Sequence, residues 1–109
     1  MVPKGHRLCR DESSRVDREG FRVSEGSIQA KILPIPGAQG PRYVVIAGKS
    51  ASKSSVDRHS IRRRVSAAVE QVLNETGFVG DVIVRVRSDV SKTPFETLIT
   101  TCRALLVRR

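Results

Sequence analysis

An α+β fold, a two-layer α/β sandwich of helices on one side of a small mixed sheet, is predicted by three observations. Stretches that alternate apolar and polar residues with a period of two, Ser27 to Leu33, Arg42 to Ala47 and Asp81 to Arg87, are interleaved with stretches of helical period. Proline and glycine cluster between them rather than within them. At 109 residues the chain is long enough for one domain, residues 1–109, with a single modest core, and it contains no internal repeat.

Taken in order, Arg7 to Gly20 is densely charged with Leu8 and Val16 as its only sizeable aliphatics, and predicts a short surface helix ending at Gly20. Ser27 to Leu33 places Ile28, Ala30 and Ile32 on one side and Gln29, Lys31 and Leu33 on the other, the pattern of a half-buried strand. Pro34 to Pro41 holds three of the five prolines and reads as a loop. The next strand, Arg42 to Ala47, turns Tyr43 and Val45 one way and Val44 and Ile46 the other.

Gly48 to Ser55 is a flexible, hydroxyl-rich, basic connection whose Ser54 or Ser55 can cap the helix that follows. That helix runs to about Glu75, where Gly77 supplies a left-handed terminator. Asp81 to Arg87 is a strand with Val82, Val84 and Val86 on one face and Arg85 and Arg87 on the other. Thr93-Pro94-Phe95-Glu96 joins a capping box to a proline at the first helical position, and the last helix carries the stripe Phe95, Leu98, Ile99, Cys102, Leu105 and Leu106.

Charge concentrates in one place. The net charge is +9, and Lys49 to Arg64 holds six basic residues against Asp57 alone, a local excess of +5. On a helix, Ile61, Val65, Ala68, Val69 and Val72 share an apolar arc, while Arg58, His59, Arg62, Arg63 and Ser66 line the neighbouring one. A charged helix face is commonly no more than a solvated surface, but such a surface mixes signs at i, i+4 spacing, and this one concentrates repulsion. Arginine, used here four times where lysine would carry the same charge, presents a planar fork suited to phosphate oxygens and base edges. Nucleic acid is the partner indicated, with Lys49, Lys53, Arg58, His59, Arg62, Arg63 and Arg64 as candidate contacts. Tyr43, next to Arg42, has a ring that can stack a base or fill the core.

Other classes fall away. Apolar runs are far shorter than the ~20 residues of a spanning helix, and no apolar signal region precedes the first elements, so a cytoplasmic location is expected. Cys9 and Cys102 stand far apart without a CxxC partner, and His6 and His59 sit among basic residues, so no metal site is indicated. Gly48-Lys49-Ser50 lacks the upstream glycine of a phosphate-binding loop, because that position is Tyr43. No catalytic constellation is visible, and neither is a GXXG loop or a paired-aromatic strand.

Arg58-His59-Ser60-Ile61-Arg62-Arg63-Arg64-Val65-Ser66 resembles the R-N-R-x-K-R-x-x-R signature of the bacterial ribonuclease P protein component. Arg58 stands at the first arginine, Ile61 at the spacer and Arg62-Arg63 at the Lys-Arg pair, while His59, Ser60 and Ser66 replace Asn, Arg and Arg. Val2 to Leu8 is similar to the family's LPKxxRL opening, Gly80 to Arg87 to its GDVIVxxR strand, and Thr93 to Leu98 to its SFxxL helix start. The family's first helix carries a D-F-x-x-V-F pattern, where Glu12 to Asp17 here has only Val16.

The resemblance implies the fold of the second domain of ribosomal protein S5, with a left-handed crossover through the arginine helix. It implies an accessory subunit of an endoribonuclease that removes the 5′ leader of precursor tRNA, with no catalytic residue of its own. Its partners would be the catalytic RNA subunit and precursor tRNA, and no membrane or protein partner is indicated. Mg²⁺ would act through the RNA subunit. Lys31, Arg42 and Tyr43 would be the sheet-face contacts to the leader. A structural RNA-binding protein of the same fold, ribosomal or an assembly factor, is the alternative. A helix reading a DNA major groove is a third, disfavoured because no helix-turn-helix spacing precedes Arg58.

Overall fold

The computed structural model describes residues 10–37 and 40–107, so Cys9, His6 and the Val2 to Leu8 phrase lie outside the described residues. The elements are α1 (Arg10–Glu19), β1 (Phe21–Glu25), β2 (Ile28–Pro34), β3 (Pro41–Ala47), α2 (Ser55–Thr76), β4 (Gly80–Val86) and α3 (Phe95–Val107). Strand order is β1-β2-β4-β3, antiparallel except for β3 beside β4. Parallel neighbours need a connection that returns the chain to its starting end, and α2 supplies it.

Register puts three apolar rows on one face of the sheet. Ile28, Val86 and Ala47 form one, Ala30, Val84 and Val45 the next, and Ile32, Val82 and Tyr43 the third. Against them pack Ile61, Val65, Ala68, Val69, Val72 and Leu73 of α2 with Leu98, Cys102, Leu105 and Leu106 of α3. The two-layer arrangement holds for these two helices, whereas α1 takes the other face. There Val16 and Ile83 are buried together with Leu33 and Val44 packed against them.

The long helix is terminated at both ends as its sequence indicates. The Ser54 hydroxyl accepts the Asp57 amide at 3.3 Å, and Gly77, at φ 68°, donates its amide to the Leu73 carbonyl. Gly80 at φ 141° starts β4 where a Cβ would run into the Leu33 carbonyl and the Ile35 amide, so the close approach of β4 to β2 depends on its missing side chain.

Strand β1 was not visible in the periodicity. Among the described residues it has a partner only in β2, and its residues are exposed or half-buried, with Phe21 39 % exposed, so little burial stands behind its alternation. Its signal is the turn. Gly26 at φ 58° followed by Ser27 at negative φ joins Glu25 to Ile28 in a two-residue hairpin of the glycine-first kind.

Two single residues depart from the expected pattern, Phe95 and Ser66. Phe95 is 37 % exposed, because it is the first residue of α3 and precedes the turns that reach the sheet. Ser66 is buried rather than on the basic face, and its carbonyl accepts the Tyr43 hydroxyl at 3.5 Å. Val56 is 73 % exposed in the first turn of α2, one turn short of the apolar stripe.

Candidate nucleic-acid interface

Docking the apolar stripe of α2 into the core fixes which cations face outward. Ile61 and Val65 are 0 % exposed, and the intervening Arg62 and Arg63 are therefore carried to the solvent side. Arg62 donates to His59 Nδ1 at 3.1 Å, which keeps the imidazole and guanidinium together on the surface. Arg63 is exposed and has no hydrogen-bond or ion-pair partner among the described residues. Lys49 and Lys53 are exposed in the connection before the helix.

That connection is held at two points rather than running free. Ala51 is 1 % exposed in the core, and its amide closes a turn on the Gly48 carbonyl at 2.9 Å. Arg58 donates to the Ser52 and Lys53 carbonyls, each at 3.0 Å, so part of its fork ties the loop to the helix.

Arg64 differs from its neighbours. Its guanidinium donates to the Val90 and Ser91 carbonyls at 3.0 Å each and to the Thr93 carbonyl, which turns it from the basic row toward the loop that enters α3. Three carbonyls engaged by one cation make it a clasp between two elements. Arg64 is thus half-buried structure as much as surface charge, because it follows Arg63 around the helix toward α3.

The second basic surface lies on the α1 side of the sheet. Register brings Arg22, Lys31, Ile83 and Val44 into one row, Ser24, Gln29, Arg85 and Ile46 into the next, and Leu33, Asp81 and Arg42 into a third. Asp17 of α1 faces two of these cations. Arg85 donates to its carboxylate at 3.2 Å, and Lys31 donates to its backbone carbonyl at 2.7 Å with its carboxylate 4.0 Å away. Beside α1, Val44 is half-buried and Ile46 is 42 % exposed, leaving an open apolar strip along β3 between cations.

Arg42 and Tyr43 are adjacent on β3 and so face opposite ways. Arg42 makes a two-point pair with Asp81, at 3.0 and 3.1 Å, in which Asp81 is 1 % exposed. Tyr43 is 0 % exposed under α2 and donates its hydroxyl to Glu70 at 3.1 Å. Burial, the Glu70 charge and that hydrogen bond together raise its pKa. Tyr43 therefore leaves the set of sheet-face contacts: a ring enclosed on the helix side cannot stack an RNA base on the other. Arg22 and Arg85 are further cations on that open face, where Asp17 pairs with Arg85. The hairpin signal at Gly26-Ser27 would have found Arg22, and the alternation around Arg85 already placed it opposite the valines.

Among the described residues no three His, Cys, Asp or Glu side chains gather as a metal-ligand set, and no helix is long and apolar enough to cross a membrane.

Comparison with known proteins gives one family and one fold. A family model, Ribonuclease P, matches residues 2–109. Among solved structures, a Staphylococcus aureus RNase P protein mutant with defective mRNA degradation activity superposes with TM-score 0.79 at 15 % identity, covering 95 % of this chain and 87 % of that one. The RNase P protein from Thermotoga maritima gives TM-score 0.79 at 18 % identity, covering 94 % and 96 %. The Thermotoga protein in complex with 1-(4-fluorophenyl)-2-thiourea gives 0.74 at 18 % identity, covering 92 % and 95 %. Comparison with curated proteins gives no match.

Proposed function

The chain belongs to the bacterial ribonuclease P protein family, and so is a subunit of a tRNA-processing endoribonuclease complex; from that premise we propose that α2 binds the catalytic RNA subunit while the α1 side of the sheet guides the 5′ leader of precursor tRNA. The observation that carries the reading is the outward row on α2. With Ile61 and Val65 locked in the core, His59, Arg62 and Arg63 stand exposed on a helix whose other side is packed in the core, and Lys49 and Lys53 are exposed in the connection that leads into it. Such a row meets the spaced phosphates of a folded RNA, and the anchoring of Arg58 and Arg64 on backbone carbonyls holds the ends of the row in place.

The sheet surface suits a single strand. Arg22, Lys31, Arg85 and Arg42 offer charge along an open strip whose floor includes Val44 and Ile46, and an extended leader can place phosphates on the cations and base edges on the aliphatics. Asp17 and Asp81 occupy part of that charge in the free protein, which limits attraction for an arbitrary polyanion.

Mg²⁺ would be held by the RNA subunit and would supply the charge stabilisation of phosphodiester hydrolysis there. The protein's share is binding: it screens repulsion between two RNAs and favours substrate over product, because product has lost the leader. The complex would act in the cytoplasm. The test is reconstitution with the RNA subunit at low Mg²⁺, on leader-bearing and leaderless tRNA. The protein alone should leave precursor tRNA intact, and with the RNA subunit it should raise cleavage and the preference for leader-bearing substrate. A protein that binds RNA yet changes neither rate nor preference would be a structural RNA-binding protein instead.

A further inference from the structure

Where the loop after β4 turns into α3, it brings an aromatic ring against the basic helix. Ser60, Arg63, Arg64, Ala67 and Phe95 line one open depression there. The four α2 residues are spaced i, i+3, i+4 and i+7, a single stripe of that helix, and Phe95 comes from the start of the other.

Each member brings a distinct chemistry. Phe95, 37 % exposed, presents part of its ring to solvent. Ala67 has nothing beyond its Cβ, so the floor is shallow and clear. Arg63 supplies a guanidinium with no partner among the described residues, and Ser60 an exposed hydroxyl. Arg64 is a second guanidinium, and the Val90, Ser91 and Thr93 carbonyls hold it at the rim. Among the described residues no acidic side chain lines the depression. A π face, a clear floor, two cations and a hydroxyl without a counter-charge match one nucleotide, base and phosphate together.

We infer that this depression seats one unpaired nucleotide of the RNA held along α2, its base stacked on Phe95 above Ala67 and its phosphate on Arg63. The inference rests on α2 being an RNA-binding helix. It adds something the arginine row lacks. Phosphates are alike in every RNA, but a base free to leave its stack exists only at bulges, loops and junctions, so the seat makes a charged helix selective for folded RNA over plain duplex.

The chain contains no tryptophan, so Phe95→Trp introduces a single indole at the seat. The probes are the ribonuclease P RNA subunit and a fully paired RNA duplex, at one salt concentration, with thermal melts of each variant. Phe95→Leu should bind the RNA subunit about tenfold or more weakly, as loss of one stacked base implies, with duplex binding within about twofold of the parent. Phe95→Trp should keep parental affinity, and its emission should be quenched by the RNA subunit and unmoved by the duplex. Parental affinity of Phe95→Leu for the RNA subunit, or equal quenching by both RNAs, overturns the seat. If Arg62→Ala with Arg63→Ala leaves RNA binding unchanged, the reading of α2 itself fails and the seat falls with it. If that double variant binds weakly while Phe95→Leu binds like the parent, the seat alone falls.

Discussion

Asp81 shows how one buried carboxylate decides what a neighbouring arginine is for. It is 1 % exposed on a strand, and Arg42 satisfies both its oxygens from the edge strand beside it. Removing Arg42 strands a charge in the sheet, so Arg42→Ala should cost roughly 2–4 kcal/mol in urea denaturation, below the extreme for fully buried pairs because Arg42 keeps solvent contact. Arg62→Ala and Arg63→Ala should each cost under ~0.5 kcal/mol, as surface changes do. Equal stabilities for all three would mean that the Arg42 pair carries no weight. Leader-binding assays on Arg42→Ala thus report folding as well as contact, and Lys31 and Arg85 are the cleaner probes. Two other buried groups predict an alkaline limit. Burial pushes the Cys102 thiol up to about 12 from 9.0, and burial with the Glu70 contact raises the Tyr43 hydroxyl from 10.0. Both folded-state values lie above those of the unfolded chain. Their contribution is therefore complete below about pH 9 and drains away as the unfolded chain ionises while the folded one does not. Urea midpoints should hold from pH 7 to about 8.5 and fall steadily from about 9 to 11, with Cys102→Ala delaying the onset. A midpoint level to pH 11 would contradict both burials.

Helix α2 joins the fold to the proposed interface, and Arg64 is where the two meet. Three carbonyls of the loop before α3 converge on its guanidinium. Arg64→Ala should lower stability by about 2 kcal/mol, since charge-assisted bonds contribute more than neutral ones and part-buried carbonyls are left unpaired. Arg63→Ala, one residue earlier and exposed, should barely move it. A shared small effect would place Arg64 back among the free surface cations. Why the sequence revealed the helix and not this division follows from what periodicity encodes. It placed Ile61, Val65 and Val72 in the core, a Ser54 or Ser55 cap at one end and the Gly77 cap at the other, because those depend on spacing within one element. It set Arg64 off the arc that holds Arg63 but could not show that the loop before α3 would engage it, because that depends on where α3 comes to lie. The same limit applied to Tyr43: alternation put it opposite Arg42, but which face α2 would cover was a matter of tertiary packing. Strand β1 escaped for a different reason, since an edge strand that buries little leaves little apolar signal, and among the described residues α1 brings Val16 as its buried aliphatic to the second face.

The assembled protein carries cations on both sides of one sheet, and this arrangement makes the two proposed RNA contacts separable. The α2 row and the Lys31 to Arg85 surface are divided by the sheet and its apolar core, so substitutions on one side share no partner with the other and should act independently. Each phosphate neutralised releases counterions and contributes about 0.7 to 0.9 to the slope of log K against log salt. Binding of the RNA subunit should therefore weaken steeply from low to moderate salt, and Arg62→Ala with Arg63→Ala should flatten the slope by roughly 1.5 as two contacts disappear. Lys31→Ala with Arg85→Ala should leave that slope unchanged and instead reduce the discrimination between leader-bearing and leaderless tRNA in the reconstituted complex. Arg64→Ala should change the slope by less than Arg63→Ala, because much of its fork is already committed to the loop carbonyls. Measuring these slopes side by side, by filter binding across a salt series, checks the division directly. A nearly flat parental slope would remove the electrostatic account of α2, and a slope that falls equally for the α2 and sheet-face pairs would mean that one RNA spans both faces.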